Sequence, residues 1–169
     1  LGGRCITIDP HYLSWKLKSP VVLARFIGLA GGANSHMPEY VVERITALMN
    51  RKFARSINKS TILVLGIAYK RDIKDIRESP ALDVIKLLED RGARILYNDP
   101  HVPSFKWNDK TFKSSKLTPS LLKKADLVVV LTDHTAYNYQ MIVDNAKAVF
   151  DTRNATKKVT KGRQKIEVL

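Results

Sequence analysis

The sequence predicts an α/β fold, a doubly wound parallel sheet preceded by a helical segment. Two short runs rich in β-branched residues, 62–65 and 127–132, are too apolar for half-exposed strands and predict strands buried on both faces. From residue 61 onward such runs alternate with helical patterns, which favours parallel strands joined by helices. Residues 19–50 carry helical patterns alone. Together these observations predict one sheet domain with helices on both of its faces.

The amino-terminal third is predicted to be a loop followed by two helices. Residues 1–18 show no clear period and predict a loop. Ser19-Pro20 opens a first helix, which we expect Gly31-Gly32 to end. A second helix begins between residues 35 and 38, and one of its faces is apolar: Val41, Ile45 and Leu48. The polar residues 51–60 predict a linker into the sheet domain.

The sheet domain is predicted to contain five strands and three helices. Ser79-Pro80 and Thr118-Pro119 each combine an N-cap residue with proline at the first helical position. Gly92 is expected to end the first of these helices. In chain order we predict a strand at 62–65, a helix at 81–91, a strand at 94–97, an optional edge strand near 111–113, a helix at 119–124, a strand at 127–132, a helix within 136–145, and strands at 148–150 and 165–169.

The chain is strongly basic. Its 169 residues include 29 Lys and Arg against 16 Asp and Glu, a formal net charge of +13. This balance favours polyanionic partners, namely nucleic acid, an anionic membrane surface or phosphorylated small molecules, with a solvated basic surface as the alternative. No apolar run reaches the ~18 residues of a membrane span, and the first residues lack a signal-peptide layout. A single cysteine, Cys5, excludes an internal disulfide, so we expect a cytoplasmic protein.

Polar residues follow three predicted strands at the points where those strands end. The loop after residue 65 contains four cations, and Lys70 comes first among them. Because parallel strands point the same way, these groups gather at one sheet edge, where open α/β sheets bind ligands. Lys70 and Arg153 together suit a diphosphate, although both also fit ordinary surface cations. The three groups are Tyr69 with Lys70, Asp133 with His134, and Asp151 with Arg153.

The turn after the first strand lacks the usual dinucleotide-binding fingerprint. Gly66 is the one glycine there, whereas the fingerprint requires three. Asp99 stands at the end of the second strand, where an acid often binds ribose, but its Pro neighbour favours a turn-forming aspartate. The four histidines are scattered and lack the spacing of metal ligands, so we expect no metal site.

The first ten residues contain a second candidate site. Gly2 and Gly3 allow the backbone to approach a ligand closely. Arg4 favours the thiolate form of Cys5, which is the nucleophilic form, and Asp9 is placed to hold a water or act as a base. The residues alone leave open the plainer interpretation that Cys5 is an inert buried side chain.

Four sequence landmarks, in order, resemble the UDP-sugar 6-dehydrogenases. Residues 2–10, GGRCITIDP, resemble their Gly-Gly-x-Cys-x-x-x-Asp motif, and residues 65–82, LGIAYKRDIKDIRESPAL, resemble the opening of their UDP-binding domain. NDPHVP at 98–103 and VFDTRN at 149–154 look like later landmarks of that domain. Residues 25–45 resemble most the branch that acts on UDP-N-acetylglucosamine or UDP-N-acetylmannosamine, with UDP-glucose 6-dehydrogenase as the alternative.

The resemblance implies two domains and a reaction. Residues 59–169 would form the Rossmann-like UDP-binding domain, and residues 1–58 would end the central helical domain, which makes the dimer or higher homo-oligomer in the family. Such enzymes oxidise the C6 alcohol of the sugar to a carboxylate in two NAD-dependent steps through a cysteine thiohemiacetal and thioester, for surface polysaccharide precursors. The implied roles are Cys5 as nucleophile, Asp9 as proton-transfer or water-orienting group, Gly2 and Gly3 beside the sugar, Tyr69, Lys70 and Arg153 on the UDP-sugar, and Arg77 on NAD.

The resemblance also implies that this chain is a piece of a longer enzyme. The family's NAD-binding domain and most of its central domain have no counterpart in the 169 residues, so we expect no turnover from this chain alone. Arg4 and Thr7 stand where members of this branch usually have His and Pro. We expect neither nucleic acid nor membrane as a partner; the competing hypothesis is a non-catalytic basic module that binds nucleotides or nucleic acid.

Overall fold

The computed structural model describes Tyr12, Lys16, residues 21–107 and residues 110–169. The chain divides into two compact units, residues 1–40 and 41–169. In the first, helix α1 spans Val21–Ser35. The prediction that Gly31-Gly32 ends this helix is therefore wrong. Glycine lowers helix stability by only about 1 kcal/mol per residue, which a helix can absorb where no other stop signal is present.

Two further details of the first unit bear on the predictions. Tyr12 and Lys16 are both helical, so the predicted loop over residues 1–18 is wrong at these two positions. The other residues of that stretch, with Gly2, Gly3, Cys5 and Asp9 among them, lie outside the described residues. Helix α2, Met37–Phe53, begins in this unit, and its residues from Val41 onward belong to the second. The proposed domain boundary at residue 58 stays a prediction.

The second unit contains an alternation of strands and helices close to the predicted one. Its strands are β1 (Thr61–Leu65), β2 (Arg94–Asn98), β3 (Ser104–Trp107), β4 (Lys110–Lys113), β5 (Leu127–Val130), β6 (Val149–Asp151) and β7 (Ile166–Val168). Its helices after α2 are α3 (Pro80–Asp90), α4 (Pro119–Lys124) and α5 (Tyr139–Asn145), with 3-10 turns at Ala155–Lys158 and Arg163–Lys165. Each of the five predicted main strands and three predicted helices is confirmed within a few residues.

The described residues form a five-stranded parallel sheet in the order β2-β1-β5-β6-β7. The chain passes from β1 to β2 on one side and then returns to place β5 on the other side of β1. This reversal creates a topological switch point between the carboxyl ends of β1 and β5, where open α/β sheets bind ligands. The predicted α/β class is confirmed.

Both faces of the sheet are covered, as the apolar runs predict. Along β1, Ile62 and Val64 face a core that includes α2 and α3, whereas Leu63 and Leu65 face a core that includes α4 and α5. Phe150 of β6 is fully buried in the first of these cores. Burial on both sides explains why these strands read as continuous apolar runs rather than as alternating ones.

In the second unit, the ends of the helices follow the predicted signals, with one exception at Ser79. Thr118 accepts a hydrogen bond from the Leu121 backbone N–H at 3.2 Å, which caps α4. Gly92 has a φ of +81° just after α3, the left-handed conformation that ends helices. Ser79 precedes α3 with extended backbone angles, but its hydroxyl makes no capping bond to the described residues.

Strands β3 and β4 form a separate antiparallel ribbon in which Phe105 stacks on Phe112, with ring centroids 4.9 Å apart. The optional edge strand near residue 111 is confirmed as β4, and its partner β3 was not predicted. The linker predicted at 51–60 is shorter, because α2 runs to Phe53 and Ile57 is buried.

Candidate functional site

A cleft of about 500 Å³ lies beside the carboxyl ends of the strands. Its walls come from three loops, which follow β1, β5 and β6. The lining residues are Arg71, Asp133, His134, Thr135, Tyr137, Asn138, Tyr139, Gln140, Arg153, Asn154, Ala155, Lys157, Lys158 and Val159. The three loops are those whose polar residues the sequence places at one sheet edge.

The loop after β1 leaves the sheet through Gly66, which has a φ of +77°. A Cβ atom at this position would lie 2.4 Å from the backbone oxygen of Thr132, in the loop after β5. Glycine therefore allows the two loops to approach each other closely at the switch point.

Asp99, at the end of β2, is a fully buried carboxylate that organises this edge. Its Oδ2 accepts hydrogen bonds from the backbone N–H groups of Ile67 and Ala68 at 2.8 and 3.1 Å. Its Oδ1 accepts from the backbone N–H groups of His101 and Val102, at 2.8 and 3.1 Å. These four bonds make Asp99 a turn-forming residue, the interpretation that the sequence favours over a ribose ligand.

His134 is fully buried and joins Asp99 to the loop after β1. Its Nε2 lies 3.1 Å from Asp99 Oδ2, and its Nδ1 accepts the backbone N–H of Asp72 at 2.9 Å. An imidazole that accepts at Nδ1 carries its proton on Nε2, which then donates to the carboxylate. His134 is therefore a neutral structural connector between two loops.

Asp72 completes this connection from the loop after β1. Its two carboxylate oxygens accept hydrogen bonds from the Thr135 backbone N–H and hydroxyl, both at 2.9 Å. The bond from the Thr135 backbone is the main reason that the pKa of Asp72 is below its usual value. Asp72 holds a φ of +59°, which is uncommon for a residue with a side chain. The bonds on both its backbone and side chain keep this conformation in place.

Three side chains near one another could suggest a metal site. Asp72, His101 and His134 each place one ligand atom within 4.8 Å of the others. However, His134 Nδ1 already accepts from the backbone of Asp72, and the Asp72 carboxylate already accepts from Thr135. Asp72 and His134 thus form a hydrogen-bonded connection between loops, whereas His101 Nε2 makes no hydrogen bond to the described residues. The expectation of no metal stays a prediction.

Asp133 bridges two arginines in the cleft. Its Oδ2 accepts a hydrogen bond from Arg71 Nη2, and its Oδ1 lies 3.8 Å from Arg153 Nε. The hydrogen bond to Asp133 raises the pKa of Arg71, so the guanidinium of Arg71 is charged at neutral pH. Both arginine side chains are more than half exposed, at 56% and 55%, whereas that of Asp133 is 10% exposed.

The loop after β6 is fixed by the buried carboxylate of Asp151. Asp151 accepts hydrogen bonds from the Arg153 backbone N–H at 2.9 Å and from the Thr156 backbone N–H and hydroxyl at 2.8 and 2.6 Å. These bonds set the backbone of Arg153 relative to β6. The backbone of one cleft cation, Arg153, is consequently held by a hydrogen bond to the end of β6.

Two tyrosines form the apolar part of the cleft. The Tyr137 hydroxyl donates to the Asn98 carbonyl at 2.8 Å, and the Tyr139 hydroxyl donates to the His134 carbonyl at 3.3 Å. Burial raises the pKa of both phenols well above the usual value. Both therefore stay protonated at neutral pH and act as packing groups rather than as bases.

The structure brings some predicted site residues to this edge and places others nearby. Arg153 lines the cleft. Tyr69 is half-buried, and its backbone N–H donates to the Asp75 carbonyl at 2.8 Å. Lys70 is exposed, with Nζ 5.7 Å from the centroid of the Tyr69 ring. Arg77 is exposed and makes two hydrogen bonds to the Asp75 carboxylate, from Nε and Nη2, both at 2.9 Å.

Sequence reasoning missed several lining residues of the cleft. Arg71 lines it and the neighbouring Lys70 does not. The signal for Arg71 was its place in the same basic loop, but the direction of a loop side chain is not visible in a sequence. Lys157 and Lys158 also line the cleft, and they follow β6 by only a few residues.

None of the helices within the described residues has the length and apolar character needed to cross a membrane.

Comparisons with known proteins agree with this geometry. Residues 63–158 match the UDP-glucose/GDP-mannose dehydrogenase family, UDP binding domain. The chain is 34% identical over 162 residues to a UDP-N-acetyl-D-mannosamine dehydrogenase of Methanococcus maripaludis, a match that covers 91% of this chain and 35% of the relative. It is 28% identical over 156 residues to an NDP-N-acetyl-D-galactosaminuronic acid dehydrogenase of Ralstonia solanacearum, covering 90% and 34%.

A solved structure of a nucleotide-sugar dehydrogenase also has a similar fold. The fold is similar to that of UDP-D-ManNAc dehydrogenase from Pyrococcus horikoshii, with a TM-score of 0.77 and 25% identity over 99% of this chain and 38% of that one. The chain spans about 35% of the length of the first curated relatives that it matches. The family match covers more than half of the chain, including residues 63–65 of β1, the loops after β5 and β6, and Arg153. The chain therefore belongs to the UDP-glucose/GDP-mannose dehydrogenase family and contains the UDP binding domain of that family.

Proposed function

We propose that this chain is the nucleotide-binding part of an NAD-dependent 6-dehydrogenase that oxidises a UDP-N-acetylhexosamine to its uronate. The observation that carries the proposal is the cationic cleft at the switch point. Arg71, Arg153, Lys157 and Lys158 line it, and among the described lining residues Asp133 is the one carboxylate. The cleft contains more cations than carboxylates and also two tyrosine rings. This combination suits a nucleoside diphosphate, because the phosphates need positive charge and the base needs an apolar surface.

The diphosphate is expected to use donors that the protein leaves available. The Nη atoms of Arg153 and the ammonium groups of Lys157 and Lys158 make no hydrogen bond or ion pair with the described residues. The planar fork of an arginine matches the oxygens of a phosphate and binds them in a bidentate manner. Tyr69 and Lys70, on the neighbouring loop, are proposed to contact the UDP-sugar beside this cleft.

The remaining predicted site residues take their roles from the family resemblance. Cys5 is proposed as the nucleophile toward the C6 aldehyde, and Asp9 as the group that transfers a proton or orients water. Gly2 and Gly3 are proposed to lie beside the sugar. This assignment extends the proposed function to a second segment of the chain. The parent enzyme is proposed to be a homodimer or higher homo-oligomer.

Arg77 is proposed to contact NAD, a role that comes from the family resemblance and with which its geometry is compatible. Asp75 engages the Nε and Nη2 edge of the guanidinium, and the side chain is 67% exposed. The Nη1 atom makes no hydrogen bond to the described residues, so it remains available to a phosphate. NAD would supply the oxidant for both steps, and in this chain Arg77 would orient it.

Ligand-dependent melting tests the proposal. A ligand that binds the native state alone raises its melting temperature by mass action, so UDP is expected to stabilise the 169-residue chain. Arg153→Ala should abolish most of this shift, whereas Cys5→Ala should preserve it, because the thiol is assigned to chemistry rather than to UDP binding. No NADH is expected from the chain alone with UDP-sugar and NAD.

The matched control is Arg55→Ala. Arg55 is as exposed as Arg153, at 59%, and it also pairs with an aspartate, Asp126, but it lies near the start of β1 at the opposite end of the sheet. The UDP shift should survive this substitution. Absence of any UDP shift in the wild-type chain, together with salt-dependent binding to DNA, would support the alternative of a non-catalytic nucleic-acid-binding module.

A further inference from the structure

We propose that Asp133 is a positioning residue, which holds Arg71 and Arg153 in the arrangement that clasps a diphosphate. The inference rests on the proposed function of the cleft and adds to it a group that has the same negative charge as the ligand. Asp133 is the one carboxylate among the described lining residues, and an anionic ligand is expected to avoid it. Its geometry shows why it is nevertheless present.

The contacts of Asp133 reach two loops that are distant in sequence. One oxygen pairs with Arg71, from the loop after β1, and the other with Arg153, from the loop after β6. The Asp133 side chain is only 10% exposed, whereas both arginine side chains are more than half exposed. One carboxylate thus offsets the repulsion between two guanidinium groups that share a cleft.

The pairing leaves most donors of both arginines free to bind a ligand. Asp133 engages Nη2 of Arg71 and Nε of Arg153. An arginine has five N–H donors, so in the described part of the chain Arg71 retains Nε and Nη1, and Arg153 retains both Nη atoms. Asp133 therefore contacts one edge of each guanidinium, through a hydrogen bond to Arg71 and an ion pair at 3.8 Å to Arg153, and leaves another edge of each open. This arrangement lowers the ordering cost that two long, exposed side chains would otherwise incur on binding.

The same strand provides a matched control at its other end. Asp126 lies just before β5, whereas Asp133 lies just after it. Like Asp133, Asp126 pairs with two cations, Arg55 at 2.7 Å and Lys147 at 3.0 Å. Asp126 lies at the amino-terminal end of the sheet. Loss of its charge changes the net charge by the same amount, but it does not change the cleft.

The test is isothermal titration of the 169-residue chain with UDP and, separately, with inorganic pyrophosphate. Simple charge counting predicts that Asp133→Asn binds both ligands more tightly, because a negative charge is removed. Positioning predicts the opposite sign, a weakening of about fivefold or more for both, equivalent to about 1 kcal/mol. Asp126→Asn should leave both dissociation constants within about twofold of wild type.

A double-mutant cycle separates positioning from a general effect on the fold. If Asp133 acts through Arg153, then Asp133→Asn should have much less effect on UDP affinity in an Arg153→Ala background. Additive losses would contradict the proposal, as would unchanged or tighter binding by the single variant. Should Asp133→Asn fail to fold, Asp133→Glu, which keeps the charge and displaces it, is expected to show the same weakening.

The two proposals fail in different ways. If the wild-type chain binds neither UDP nor pyrophosphate, the proposed function fails, and this inference fails with it. If the wild type binds both and Asp133→Asn binds them equally well, then the positioning role alone is wrong.

Discussion

At the scale of single residues, buried carboxylates explain the shape of the site better than the exposed cations do. Asp99 and Asp151 are fully buried, and each accepts hydrogen bonds from backbone N–H groups of a loop that leads to the cleft. A buried carboxylate is stable only when such donors replace its water. Hydrogen bonds to buried carboxylates therefore hold parts of the loops after β1 and β6, and these two loops carry cations of the cleft.

The sequence reveals the identities of these residues but not their partners. Lys70 and Arg153 are predicted at the sheet edge because each follows a strand; of the two, Arg153 lines the cleft, and the binding roles of both stay predictions. The roles of Asp133 and His134 could not be predicted, because they depend on which side chains of different loops meet. His134 is a connection to Asp99 and Asp72, and neither pairing follows from spacing along the chain.

A pH prediction at this scale concerns Tyr97. Burial raises its pKa to about 12 from an ordinary value of 10, and its hydroxyl donates to the Val102 carbonyl at 3.2 Å. Since the folded state keeps the proton more tightly, stability from this group is present below pH 10 and is lost as pH rises toward about 12. The loss is at most about 3 kcal/mol, because each pH unit between the two values contributes about 1.4 kcal/mol.

Tyr97→Phe isolates this effect. Below pH 10 the variant should be less stable than wild type by about 1 kcal/mol, since one hydrogen bond is lost. Between pH 10 and 12 the difference should shrink and then change sign, because phenylalanine has no proton to lose. Urea denaturation across this pH range measures the difference in stability between the variant and the wild type. A difference that stays constant with pH would contradict the raised pKa of Tyr97.

At the scale of elements, the sequence predicts the strands that are buried on both faces and misses those that depend on pairing. Runs such as residues 127–130 are too apolar to be anything but interior strands. Ser104–Trp107 alternates polar and apolar residues over only four positions, and it is a strand because β4 pairs with it. Helix α1 continues through two glycines, which shows that the low helix propensity of glycine predicts a helix end only weakly.

Gly66→Ala tests the close approach of the loops after β1 and β5. The added Cβ would lie 2.4 Å from the Thr132 backbone oxygen at a φ of +77°, so strain and a backbone clash add together. We expect a loss of stability of about 3 kcal/mol or more and a large loss of UDP affinity.

Gly92→Ala is the control for backbone strain without the clash. Its φ is +81°, but the nearest atom to the new Cβ is the side-chain oxygen of Asn58, which is able to move. This variant should lose about 1–2 kcal/mol of stability and keep its UDP affinity. Equal losses of affinity in the two variants, measured by urea denaturation and titration, would contradict the role assigned to Gly66.

At the scale of the whole molecule, the chain has a net charge of +13, and part of its positive charge lies at the carboxyl end of the sheet. Cations at the amino-terminal end of the sheet, such as Arg55 and Lys147, pair with Asp126. At the carboxyl end, Lys157 and Lys158 have no ion pair among the described residues, and the two arginines share one carboxylate. Lysines without an ion pair therefore line the cleft at the switch point, which gives the cleft more cations than carboxylates.

The most direct test of the central claim is to map, by amide chemical shifts, where UDP binds on the chain. If UDP binds in the cleft, the shifts should saturate together and cluster in the loops after β1, β5 and β6, at residues such as Arg71, Thr135 and Asn154. Shifts concentrated at the opposite end of the sheet, around Thr61, Asp126 and Lys147, would contradict it.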